Sequence, residues 1–273
     1  MSKNPKLNPK NEKWVLFGAE LRKYRKKAKM TQDDLAEVTQ FSRSLLSFTE
    51  RGERNPSRNL AQRCDDALGA NGELIQYWTY ITHAASPRWF RDWLEVEPAA
   101  HTLHTWQPLV VPGLLQTEEY ARAVLRGKPG VTDHEVEKLV AARMERQAIF
   151  ARASPPMLRV VLDEGVLYRP IGGKEVMHAQ IERLLISFAS PKIVIQVLPL
   201  ALGVTTGVLG GFIIAQIQGS VDIVYLESAL NGQVTNRPED VEAIQATYDT
   251  IRAEAHSQHV SIDLIREAEG TWI

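Results

Sequence analysis

Cysteine is almost missing from this 273-residue sequence: Cys64 is the only one, so no internal disulfide can form. A secreted scaffold held by disulfides is excluded, and a reducing cytoplasm is the expected setting. Long apolar runs are missing too. Stretches such as Ile193–Leu202 and Val208–Ile217 are interrupted by Gln, Pro or Gly, and a membrane-crossing helix needs about 20 residues. The opening MSKNPKLNPKNEK is basic and polar and offers no apolar core for a signal peptide. No membrane partner is expected. Neither a G-x-S-x-G nor an H-E-x-x-H string occurs. What remains is an ordinary globular composition, 44% hydrophobic and 24% charged.

The net charge of −1 conceals an asymmetry. Residues 1–64 hold 15 Lys/Arg against 7 Asp/Glu, an excess of eight positive charges, so 65–273 must carry nine net negative ones. A basic head on an acidic body implies a polyanionic partner for the head, or else merely a solvated lysine-rich helix.

Within the head, Trp14, Phe17, Leu21, Tyr24 and Ala28 recur at helical spacing, with Lys13, Arg22, Lys23, Arg25, Lys26 and Lys27 on the other face. Thr31 followed by Asp34 reads as a capping box. It opens a short helix from Gln32 to about Thr39, with Leu35, Ala36 and Val38 expected inward. After a turn at Gln40–Phe41, Ser42 caps a third helix from Arg43 to about Arg51, and Gly52 ends it. Ser57 caps a fourth helix through Leu60, Cys64, Ala67 and Leu68, and a fifth runs through Leu74, Ile75, Trp78 and Ile81. The expected domains are an all-α unit over 1–83 and an α+β unit over 84–273. In the second, strands are expected at Met157–Tyr168, Lys192–Leu198, Gly211–Ile217 and Val221–Leu226, and around His101–His104. Helices are expected after Pro112-Gly113 through Leu125, and near 132–152, 174–189, 238–256 and 261–268. The strands are too few for a doubly wound nucleotide fold.

Two short capped helices joined by a tight turn make a helix-turn-helix, whose second helix enters the major groove and presents its N-terminal residues to base edges. Arg43 suits bidentate pairing with guanine, and Ser44 and Ser47 suit bases or phosphates. Ser42, at the start of that helix, joins them. Gln32 stands at a helix N-terminus, where a phosphate is favoured. Arg54 and Asn55 follow the recognition helix and are expected on the backbone or an adjacent base. Residues 17–57, through Leu21, Arg22, Arg25, Thr31-Gln32, Leu35-Ala36, Ser42, Ser47, Glu50 and Gly52, resemble the Xre/Cro/C1-type helix-turn-helix. The resemblance implies that Glu50 pairs with an arginine of the first helix. Phe48 and Thr49 depart from it: similar proteins often carry an exposed charge at the first position and an apolar core residue at the second. Phe48 therefore either meets thymine methyls or is buried by a small helix rotation.

The body also has a family likeness. WFRDWLEVEPAAHTLHTWQPLVVPGLLQTEEYARAVL, LRVVLDEGVLYR, KIVIQVLPL and a later GGFII resemble the uncharacterised domain that follows this helix-turn-helix in many actinobacterial regulators. Those proteins are often described as antitoxin-like and encoded beside a small partner protein. The resemblance implies a regulatory body that senses a partner or signal.

Other signals carry less. His101 and His104 fall on opposite strand faces, and His256 with His259 lacks a third ligand. Gly203, Gly207, Gly210 and Gly211 lack the Lys-Ser/Thr of a phosphate loop, so turns account for them. Asp163-Glu164 and Glu227 show no link as paired carboxylates. The tryptophans between 78 and 106 serve as packing anchors or line a ligand pocket. No catalytic residue, metal or cofactor is expected. The whole reads as a cytoplasmic, nucleoid-associated transcriptional regulator, a homodimer on an inverted-repeat operator in double-stranded DNA, controlled through its body by a small protein partner. The alternatives are a ligand-responsive regulator, or an enzyme with a DNA-binding appendage.

Overall fold

The computed structural model describes residues 12–54, 56–83, 90–228 and 231–273. The chain divides into two compact units, one ending at residue 85 and the other beginning at 86. Among the described residues no helix is long and apolar enough to cross a membrane.

The first unit is all helix: α1 (Glu12–Lys27), α2 (Gln32–Thr39), α3 (Arg43–Glu50), α4 (Arg58–Leu68) and α5 (Glu73–His83). Its core forms where the apolar faces converge, with Trp14, Phe17, Leu21, Leu35, Leu46, Leu60, Cys64 and Leu74 all essentially buried. The starts of α2, α3 and α4 are set by side-chain caps. Thr31 and Asp34 form a reciprocal capping box, Ser42 Oγ accepts from Leu45 N–H, and Ser57 Oγ accepts from Leu60 N–H. Each such cap stabilises its helix by about 1 kcal/mol. Asp65, buried in α4, accepts the N–H groups of Gly72, Leu74 and Ile75 and so caps α5 across the loop. Two glycines permit close helix contact. A Cβ on Gly18 would lie 2.4 Å from Thr49 O and 2.6 Å from Glu50 O. Gly52 has φ +69°, and a Cβ there would lie 2.6 Å from the backbone of Val15.

One expectation fails here. Val38 points outward, 57% exposed, and the buried partner of Leu35 is Thr39. Leu35 and Thr39 stand four apart and share one face of a two-turn helix. Thr39 is tolerated inside because its Oγ1 donates to Leu35 O at 2.6 Å.

The second unit runs α6 (Arg91–Val96), β1 (Thr102–Gln107), α7 (Glu118–Arg126), α8 (Asp133–Arg146), β2 (Met157–Asp163), α9 (Gly165–Tyr168), α10 (Lys174–Ser187) and β3 (Ile193–Leu198). It continues through β4 (Phe212–Gln216), β5 (Ile223–Leu226), β6 (Gln233–Thr235), α11 (Pro238–Glu254) and α12 (Gln258–Thr271). The six strands make one sheet in the order β3-β2-β1-β4-β5-β6. β1, β2 and β3 are parallel, whereas β4, β5 and β6 follow antiparallel from the other side of β1. This is the α+β body expected, with one strand, β6, beyond those foreseen; the strand expected over Met157–Tyr168 ends at Asp163, where the chain turns into the short helix α9.

Strand alternation feeds two cores. One face of the sheet, with Leu103, Val160, Ile195 and Ala215, packs on Trp93, Tyr120, Ile181 and Ile265. The other, with Trp106, Val161, Phe212 and Val224, packs on Val241, Tyr248 and Ile251 of α11. Trp93 and Trp106 are therefore packing anchors; Trp89 lies outside the described residues.

Candidate nucleic-acid interface

The geometry of α2 and α3 rests on Glu50, whose side chain is 1% exposed. Its carboxylate accepts Arg25 Nε at 2.5 Å and Nη2 at 3.0 Å, Arg22 Nε at 3.4 Å, and Gln32 Nε2 at 2.8 Å. One buried acceptor thereby ties α1, α2 and α3 together. Burial raises its pKa, but the hydrogen bonds from Arg25 and Gln32 and the charges of Arg25 and Arg22 outweigh that and hold the carboxyl below its ordinary value. The arginine partnership implied by the family likeness is present. Gln32 has a structural partner besides: one N–H of its amide donates to Glu50, which leaves its second N–H, its Oε1 and the start of α2 toward the cleft. Arg25 likewise belongs to this inner network, its side chain 12% exposed.

With Leu46, Thr49 and Glu50 buried, α3 turns its opposite side outward. Ser44, Ser47, Phe48 and Arg51 follow at spacings of three, four and seven, one stripe along that side. Arg43, Ser44 and Phe48 are exposed and Ser47 is half-buried. Together with Gln32 and Arg51 these residues line a shallow cleft of about 220 Å³. Phe48 is 44% exposed, which removes the rotation that would have buried it. Arg43 Nε lies 3.3 Å from Asp33 Oδ1, both side chains about two-thirds exposed, a pairing weak enough for a stronger acceptor to displace. Ser42 is engaged in its cap, Arg54 is exposed, and Asn55 lies outside the described residues.

Arg51 is the residue that the sequence did not single out. Its guanidinium sits 4.8 Å above the Phe48 ring. Nη1 donates to Ser47 Oγ at 2.6 Å, while Nε and Nη2 donate to Glu53 at 2.8 and 2.9 Å. The signal was its place one turn beyond Ser47 on the same face. Its position as the C-cap of α3 masks that signal.

Cys64 is fully buried, and burial pushes its thiol up to about 12, so it is a core residue and not a reactive one. Among the described residues no group of three or more His, Cys, Asp or Glu could hold a metal ion. His104 meets the Tyr248 ring edge-to-face and reaches Gln216, whereas His101 pairs with Thr102.

Residues 16–78 match the family model described as a helix-turn-helix domain, and residues 90–267 match the one described as a domain of unknown function, DUF5753. The second match covers well over half of the chain, which belongs to that family and carries a helix-turn-helix domain at its head. No curated protein and no solved structure gives a significant match.

Proposed function

We propose that this member of the DUF5753 family is a sequence-specific DNA-binding transcriptional regulator, and that α3 is its major-groove reader. One observation carries the reading most directly: the exposed stripe of α3 holds hydrogen-bonding and apolar groups, while its opposite face is locked down by Leu46 and Glu50. A helix held this firmly from behind presents side chains in fixed register, as base readout requires. Arg43 reads guanine, Ser44 and Ser47 contact bases or phosphates, and Phe48 supplies apolar contact. Gln32, Ser42, Arg54 and Asn55 flank the backbone. The excess of eight positive charges in residues 1–64 supports a polyanionic partner.

A single head buries little surface, and helix-turn-helix proteins pair two half-sites about 34 Å apart. The reading therefore includes a homodimer on an inverted repeat, a head of the Xre/Cro type, and a cytoplasmic, nucleoid-associated setting. In the same reading the body is regulatory and docks a small protein encoded nearby, as antitoxin-like regulators do.

Selection of bound fragments from a random duplex library, followed by titration on the enriched site, tests this. Arg43→Ala is expected to lose about 1–3 kcal/mol on that site and to relax preference at one base position. Failure to enrich any sequence, or an Arg43→Ala variant unchanged in both affinity and preference, refutes the assignment of α3.

A further inference from the structure

The body contains two arginines on one helix in very different company. Arg146 of α8 donates Nε and Nη2 to Glu97 at 2.9 and 2.6 Å and lies 4.6 Å above the Phe90 ring. Arg143, one turn earlier and half-buried, has no carboxylate within ion-pair distance among the described residues; its Nη1 meets Gln116 Oε1 at 2.8 Å. A guanidinium carries five N–H donors. Those of Arg143 other than this one meet no acceptor among the described residues.

The surroundings of Arg143 are built. Gln116, 2% exposed, is aimed by its own Nε2, which donates to Val111 O at 2.6 Å, leaving Oε1 for Arg143. Gln147 Nε2 donates to Gly113 O and Gln116 O, and Gln180 clamps Leu115 O and Thr117 N–H. The segment Val111–Thr117 is thus pinned at both ends. A Cβ on Gly113 would stand 3.6 Å from Arg143 Nε and 3.7 Å from Arg146 Nη1, so both guanidinium groups close on the same stretch of backbone. Glu227, beyond ion-pair distance of either, is attracted by both. Its N–H donates to Gly211 O beside the carboxyl end of β1.

We propose that Arg143 and Arg146, held by Gln116 and Glu97 respectively, form a binding site for an oxyanion, the carboxylate or phosphate group of a small molecule, at the carboxyl end of β1. Arg143 is half-buried with donors that no protein group among the described residues takes, and the guanidinium fork matches the geometry of a carboxylate or phosphate. Burial, and next the charge of Arg146, push Arg143 down to about 10, whereas Glu97 outweighs burial at Arg146 and raises it. Arg143 is the member with no carboxylate at ion-pair distance among the described residues, Glu227 acting on it only from farther off. The inference does not rest on DNA binding and gives the body a signal of its own.

The test titrates the full chain with inorganic phosphate and, separately, sodium acetate. Ionic strength is held constant with chloride, and the melting temperature of the body is followed. At least one oxyanion should give a saturable rise that chloride does not; the arm that responds distinguishes phosphate from carboxylate. Arg143→Met should raise the half-saturation concentration by about thirtyfold or more, as truncating one side of a buried charge pair does. Arg237→Met, in an exposed pair with Glu239, should leave it unchanged. Glu227→Gln, which removes the competing carboxylate, should lower it and keeps the test open if Arg143→Met fails to fold. No oxyanion response in the wild-type chain overturns the proposal, as does an equal response in Arg143→Met. A destabilised Glu227→Gln that answers to no oxyanion also overturns it and makes Glu227 the counterion.

Discussion

Glu50→Ala probes the first unit at its tightest joint. The change deletes the acceptor of Arg25, Arg22 and Gln32 together. Arg25, with 12% of its side chain exposed, then keeps only its Nη1 bond to Met30 O at 2.9 Å. Breaking a buried ion pair from one side costs about 3–5 kcal/mol, and a stranded amide adds about 1–3 kcal/mol. Against a typical domain stability of about 5–15 kcal/mol, the head should sit near its unfolding midpoint. Glu50→Gln should cost less, because its shape and one acceptor survive. The sign with pH follows from the depressed carboxyl. Its stabilisation is complete above the ordinary value of 4.5 and is lost as pH falls through the lower native value. The gap between wild type and Glu50→Gln should therefore be widest near neutrality and close in acid. Hydrogen exchange resolved by peptide, corrected for the intrinsic rate at each pH, reads this in the full chain, with α10 and α12 as internal controls. Equal protection of α1 and α3 in wild type and Glu50→Ala would refute the reasoning, as would a gap that does not change with pH.

Three further outcomes follow from the same geometry. Gly18→Ala places a Cβ 2.4 Å from Thr49 O, so α1 must move off α3; a loss of about 1–3 kcal/mol or more is expected in denaturant titration. Thr49 Oγ1 is buried with no hydrogen-bond partner among the described residues, so Thr49→Val should stabilise the head by about 1 kcal/mol in the same assay, the sign opposite to most core changes. If Phe48, 44% exposed on α3, meets a thymine methyl, then deoxyuridine at that position of the selected site should weaken binding by about 0.8 kcal/mol per methyl. Phe48→Ala should be blind to the exchange.

The helices of the head were legible because their signals are local. Thr31, Ser42 and Ser57 each cap within three residues of themselves, and Trp14, Phe17 and Leu21 declare one face of α1. Val38 misled because apolarity says nothing about which flank of a two-turn helix is covered. The bond from Gln32 to Glu50 is not legible in the sequence, because the two lie 18 residues apart and no spacing rule connects them. In the body, strands at 157–163, 193–198, 212–216 and 223–226 announced themselves by β-branched runs. β6 has only three residues, Gln233–Thr235, too few for alternation to register. The parallel pairing of β1 with β2 and β2 with β3 is a long-range choice that no single segment encodes.

Arginine shows best where sequence stops and structure begins. Arg122 of α7 and Arg143 of α8 are indistinguishable as letters in helical segments. Arg122 meets Glu118 at 2.7 Å, Glu119 at 2.5 Å and Glu137 at 2.6 Å. Its charge is over-compensated and four of its five N–H donors are taken, so it ties α7 to α8. Arg143 is wedged against Gly113 and Gln116 with open donors. The same contrast holds in the head, where Arg25 is consumed by Glu50 while Arg43 has one exposed, weakly held partner. Polar groups already satisfied inside a fold hold that fold; those left with capacity at a firmly built surface are the ones able to recognise something else. By that criterion the outer face of α3 and the surroundings of Arg143 are the two places among the described residues proposed to recognise a partner.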